Sequence, residues 1–277
     1  MKLLRWGERG AEKPGILDAA GRIRDLSSIV ADIDGTTLGD LGVLEDIERL
    51  PLVPGSPRIG ACVGSVGKMI CVGLNYADHA AESGMALPAE PIIFFKATSS
   101  ICGPDDDLVL PKGSSKVDWE VELGVVIGRA LTCADESEAR RGIAGYCVIN
   151  DISERGWQLE RGGQWVKGKS ADGFGPMGPW LVTADSVQND SALHLWLEVD
   201  GRRYQNSSTA QMVFKPAFLA SYLSQFMSLQ PGDVISTGTP PGVGLGMKPP
   251  VYLRAGQVVR LGIDGLGVQT QRVVAHG

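Results

Sequence analysis

Apolar and polar residues alternate with a two-residue period at Asp118-Trp119-Glu120-Val121-Glu122-Leu123, and the chain then continues as Gly124-Val125-Val126-Ile127. Successive side chains of a strand point to opposite faces, so Asp118, Glu120 and Glu122 share one face while Trp119, Val121 and Leu123 share the other. Shorter runs of β-type composition recur between turn signals at 68–72, 92–95, 146–149, 180–183, 193–199, 234–236 and 258–263. Asp200-Gly201 between two such runs predicts a hairpin. Helical spacing is confined to two places. One follows Asp135 through Glu138-Ala139-Arg140-Arg141, and the other covers 216–227, where Phe218, Leu219, Tyr222, Leu223 and Phe226 recur at helical intervals. With few helices to serve as crossovers, the pattern predicts a β-dominated α+β fold rather than parallel βαβ units.

The first 50 or so residues carry short strand signals and acidic stretches but no polar cluster, and end in the proline-rich Leu50-Pro51-Leu52-Val53-Pro54-Gly55-Ser56-Pro57. The expected organisation is a small N-terminal β-rich module over 1–60, a linker, and a metal-dependent catalytic domain over 68–277. Hydrophobic residues at 43% and charged residues at 21% supply a full core and describe an ordinary globular chain. A net charge of −6 argues against nucleic acid as partner, and no apolar run has membrane-spanning length. The N-terminus lacks the pattern of a secretory signal. The five cysteines form no CxxC pair and read as buried free thiols of a reducing compartment, so a cytoplasmic location is expected.

Chemistry concentrates in a few segments. Carboxylates crowded on one face of an apolar strand repel one another; a hard, oxygen-seeking cation removes that cost, whereas a solvated acidic strand avoids it. Asp151 closes the apolar run 146–150, where it either caps the following turn or joins Glu120 and Glu122 as a third oxygen ligand. Glu154 and Arg155 read as solvated or ion-paired. His79 and Glu82, at i and i+3 after an apolar strand, can pair so that the imidazole acts as a general base. The loop 164–179 carries Lys169, which can stabilise an oxyanion or lie at the surface. The loop 236–244 offers hydroxyls and backbone N–H groups for a carboxylate, without the spacing of a phosphate loop.

The order of these segments is specific. Gly73-Leu74-Asn75-Tyr76 with His79, Phe95-Lys96, Asp118-Trp119-Glu120-Val121-Glu122-Leu123, Asn150-Asp151, Gly168-Lys169-Ser170 and Thr237-Gly238-Thr239-Pro240 together resemble the fumarylacetoacetate hydrolase superfamily. The resemblance runs from about Lys68 to the C-terminus. It implies a mixed β-sandwich roll, a homodimer, and Mg²⁺ or Mn²⁺ held by Glu120, Glu122 and Asp151, with Asp118 beside them. It further implies His79 and Glu82 as the water-activating dyad on a short lid helix, Lys169 as the catalytic lysine, and Lys96, Gln158 and Thr239 near the substrate's carboxylate and oxo group. Leu74 departs from the arginine that many members carry there, which opens the question of how the substrate carboxylate is anchored.

The implied activity is hydrolysis of a C–C bond in a 2,4-dioxo acid, an acylpyruvate or a dioxo-deoxy sugar acid, with release of pyruvate. Alternatives on the same scaffold are ureidoglycolate cleavage, oxaloacetate decarboxylation, isomerisation of 2-hydroxymuconate-type dienols, and metal-dependent binding of an oxo acid without turnover.

Overall fold

The computed structural model describes residues 1–39, 42, 44, 46–78 and 87–277. The fold is β-dominated, as the alternating pattern predicts, and is the mixed sandwich that the family resemblance implies. A ten-stranded sheet runs in the order Ile23–Asp25, Lys13–Leu17, Lys2–Trp6, Gly175–Thr183, Ile143–Asn150, Val121–Ile127, Val234–Ser236, Met69–Gly73 and Ile92–Lys96, with Ile101–Cys102 alongside Gly175–Thr183. A five-stranded sheet orders Arg202–Ser208, His194–Val199, Val258–Ile263, Gly267–Val274 and Leu108–Val109.

The strand Val121–Ile127 is buried along its whole length, which fits its near-continuous apolar composition. Its alternate residues Val121, Leu123, Val125 and Ile127 enter the core that includes Leu195, Leu197, Val259 and Leu261 of the smaller sheet. Val126 faces the opposite way, into a second core with Leu3, Ile16, Cys147 and Leu181. One strand therefore serves two cores through its two-residue period.

The N-terminal strands extend the large sheet rather than standing apart from it, because Lys2–Trp6 pairs antiparallel with Gly175–Thr183. That partner is longer than the run predicted at 180–183. It continues back through Met177 and Gly178, opposite Ile149 and Val148, past a register shift that absorbs the glycine and proline of this stretch. The predicted hairpin closes through left-handed Asp200 (φ 51°) and Gly201 (φ 78°). The predicted helices are Glu136–Gly142, with Asp135 and Glu138 forming a capping box, and Pro216–Ser224. No helix among the described residues is long and apolar enough to cross a membrane.

Candidate metal centre

The site arises from the pairing of two strands. Ile143–Asn150 lies antiparallel to Val121–Ile127 with Ile149 opposite Glu122 and Asn150 opposite Val121. The next residue on each strand is then an acid, and Asp151 N–H donates to the Glu120 carbonyl at 2.9 Å. Strand alternation brings Glu120 and Glu122 to one side, and register adds Asp151. One carboxylate oxygen from each of the three lies within 4.8 Å of the others. All three are buried, so a solvent-facing acidic strand is excluded. Asp151 is not a helix cap; that position is taken by Glu154, whose side chain accepts from Trp157 N–H at 2.6 Å.

Buried cations compensate two of the carboxylates. Lys169, at the end of the short helix Val166–Lys169, donates to Glu120 Oε2 at 2.5 Å and to Asp151 Oδ2 at 2.6 Å. Lys96 donates to Asp151 Oδ1 at 2.5 Å and to the Ile152 carbonyl at 3.0 Å. Arg155 donates from Nη2 to Glu120 Oε1 at 2.7 Å, from Nε to Asp118 Oδ2 at 2.8 Å and from Nη1 to Gln158 Oε1 at 3.0 Å. Asp118 also accepts N–H bonds from Gly244 and Leu245, which tie the 244–250 loop to the site.

Glu122 is different. Its Oε2 accepts from Ser236 Oγ at 2.6 Å and from Gly238 N–H at 2.9 Å, and no cation pairs with it among the described residues. Gly238 reaches it because its backbone is left-handed (φ 97°) and passes so close to Asn75 that a Cβ would lie 2.8 Å from the Asn75 Cβ.

The electrostatics follow this arrangement. Burial, together with Asp151 and Glu120, pushes the Glu122 carboxyl up to about 8. Burial would raise Glu120 too, but Arg155 and Lys169 outweigh it and hold that carboxyl down at about 2. Burial opposes the charge of Lys169, yet Asp151 and Glu120 raise its ammonium above the usual lysine range, so it is a fixed cation rather than a base. Asp118, Glu120 and Asp151 face the buried cations Arg155, Lys169 and Lys96, whereas Glu122 has no cation beside it among the described residues and keeps its proton up to about 8. A hard divalent cation fits that donor set of oxygen ligands.

A cavity of about 650 Å³ opens onto the centre, and its polar end is formed by Glu120, Glu122, Arg155, Gln158, Lys169 and Thr239. Thr239 is pinned: its hydroxyl donates to the Val121 carbonyl at 2.9 Å and accepts from Gln205 at 2.8 Å. Lys96 does not line this cavity; it lies against Asp151. His79 and Glu82 lie outside the described residues. Arg155 is the residue that sequence reasoning undervalued. It is buried and ion-paired rather than solvated, and Glu154 is buried as well. The signal available was its place four residues after Asp151, but the strand Ser153–Glu154 that turns it inward is only two residues long.

Known proteins resemble this chain in sequence and fold along its whole length. The family profile described as fumarylacetoacetate (FAA) hydrolase C-terminal matches residues 68–274. A Burkholderia cenocepacia (strain HI2424) protein named as a hydrolase is 65% identical over 277 residues, covering 98% of both chains. Two solved structures cover all of this chain and are fully covered by it. Fumarylacetoacetate hydrolase from psychrophilic Exiguobacterium antarcticum has a TM-score of 0.90 at 34% identity. Maleylpyruvate hydrolase from Sphingobium sp. SYK-6, in complex with manganese(II) ion and pyruvate, has a TM-score of 0.82 at 26% identity.

Proposed function

We propose a function from one premise: the chain belongs to the fumarylacetoacetate hydrolase family. It hydrolyses the C–C bond of a 2,4-dioxo acid and releases pyruvate. The observation that carries this reading is the cluster of Glu120, Glu122 and Asp151 at the floor of a cavity, with the Lys169 ammonium shared between two of them. The manganese and pyruvate held by the related maleylpyruvate hydrolase lend it support.

Glu120, Glu122 and Asp151 would hold Mg²⁺ or Mn²⁺, which when bound draws electron density from a substrate's carboxylate and 2-oxo oxygens. The rest of the chemistry belongs to side chains. Arg155 keeps Glu120 ionised and occupies Gln158 Oε1, which leaves the amide N–H groups of this cavity-lining residue as donors for a substrate. Water adds to the C4 carbonyl, its proton passing to the His79–Glu82 pair. The C3–C4 bond then breaks, leaving a carboxylic acid from C4 and the enolate of pyruvate from C1 to C3. Lys169, which holds its proton and its place, stabilises the negative charge that develops. Protonation at C3 completes pyruvate.

The test is product analysis with the purified protein and Mn²⁺, using acylpyruvates beside ureidoglycolate, oxaloacetate and a 2-hydroxymuconate-type dienol. Pyruvate together with the matching carboxylic acid, carrying one oxygen from ¹⁸O-labelled water, is expected from the acylpyruvates. Faster conversion of one of the other three compounds would replace this reading with lyase, decarboxylase or isomerase activity.

A further inference from the structure

The cavity is chemically divided. Away from the carboxylates its walls are Leu74, Phe94, Leu159, Trp165, Val243 and Met247, and the side chains of this wall offer one hydrogen-bonding group, the Trp165 indole N–H. At the other end Arg155 is engaged by Asp118, Glu120 and Gln158, Lys169 by Glu120 and Asp151, and Thr239 by Val121, which leaves the Gln158 amide as the donor for the dioxo-acid head. Outside these, Lys248 is the one cation among the described residues that borders the cavity, and it is exposed at the rim.

The wall is also held in shape. Leu74 has a left-handed backbone (φ 54°), which is costly for a side chain of this size. Asn75 fixes it there by donating to the Thr237 carbonyl at 2.7 Å and the Phe214 carbonyl at 3.0 Å while accepting from Phe214 N–H at 2.8 Å. Trp165 lies so close to Gly73 that a Cβ there would meet its ring at 2.7 Å, and it packs edge-on against Phe94 with centroids 5.3 Å apart.

We propose that the acyl part of the substrate, beyond C4, is a bulky apolar group, aryl or branched alkyl, and that Leu74 and Trp165 select it. This rests on the dioxo-acid reading above. A polyhydroxylated sugar chain against this wall leaves buried hydroxyls without partners, and a second carboxylate is desolvated there without a counter-charge. An aryl group loses only its exposure to water.

The experiment compares kcat/KM of the Mn²⁺-supplemented protein for benzoylpyruvate, pivaloylpyruvate, acetylpyruvate, a 2,4-dioxo-3-deoxy sugar acid and a 2,4-dioxo acid with a terminal carboxylate. Benzoylpyruvate is expected to exceed acetylpyruvate and the sugar acid by about 10- to 100-fold, the range expected for burying one aromatic side chain. Leu74→Gly should bring the benzoylpyruvate-to-acetylpyruvate ratio down toward one, a comparison made within one preparation and so independent of how much of it folds. Equal rates across the panel, a preference for the sugar acid, or an unchanged ratio in Leu74→Gly would overturn the inference. Preference for the terminal carboxylate would also overturn it and move selectivity to Lys248. Absence of pyruvate from every dioxo acid would instead remove the reading on which it rests.

Discussion

Arg155 donates to Glu120 at 2.7 Å while its Nε holds Asp118 at 2.8 Å, so one buried guanidinium joins a carboxylate of the candidate metal centre to the loop that forms the cavity's far wall. Removing one member of such a buried set leaves the others charged and unpaired. Arg155→Gln is therefore expected to lower the unfolding free energy by about 3–5 kcal/mol in urea titrations. Adding Asp118→Asn should return part of that loss, giving a non-additive double-mutant cycle. A loss below about 1 kcal/mol would match a solvated surface pair instead.

Lys169 separates binding from turnover. Its ammonium pairs with Glu120 and Asp151 and borders the cavity in which the proposed reaction develops negative charge. Lys169→Met should reduce kcat by about 10²- to 10³-fold, the usual scale for losing one charge-stabilising donor. The same change should tighten Mn²⁺ binding in calorimetric titration, because the carboxylates lose a competing cation. Weaker Mn²⁺ binding with unchanged kcat would reverse both roles.

Acid stability should reflect Asp18 in the turn between the strands Lys13–Leu17 and Ile23–Asp25. Its side chain accepts from Arg22 N–H at 2.9 Å and Ala20 N–H at 3.0 Å, and it pairs with Arg22 and Arg24. The Arg22 backbone bond is the largest influence; burial opposes it, and the guanidinium groups of Arg24 and Arg22 add to it, holding the carboxyl down at about 2. A carboxyl depressed on folding stabilises the native state above its unfolded value, near 3.8, and loses that contribution as pH falls through about 2. Thermal melts across pH should therefore show wild type above Asp18→Asn at pH 6, with the gap closing between pH 4 and pH 2. A gap independent of pH would mean the charge is immaterial.

Much of the core was legible in the sequence because it depends on two-residue periodicity. The strand Val121–Ile127 falls where its alternation and apolar run predict, and the helix Glu136–Gly142 begins beside Asp135 as predicted. Glu120 and Glu122 could be paired from the same strand, since their spacing alone puts them on one face. The adjacency of Asp151 could not be read this way, because it depends on the register between strands more than twenty residues apart. Arg155 and the tight passage of Gly238 over Asn75 were hidden for the same reason: each depends on a contact between distant segments. The strand Gly175–Thr183 was read short because glycine and proline locally imitate a loop.

On the proposed reading Glu120, Glu122 and Asp151 bind the divalent cation on which C–C hydrolysis depends, so removing and returning that cation is the decisive experiment. Pyruvate release from an acylpyruvate should vanish after exhaustive chelation and return in proportion to added Mn²⁺, reaching its plateau at one ion per chain. Glu122→Gln should abolish that return, because the amide keeps the shape but not the charge. Full turnover in the chelated protein, or recovery by Mn²⁺ in Glu122→Gln equal to wild type, would mean that these carboxylates hold no ion the reaction needs.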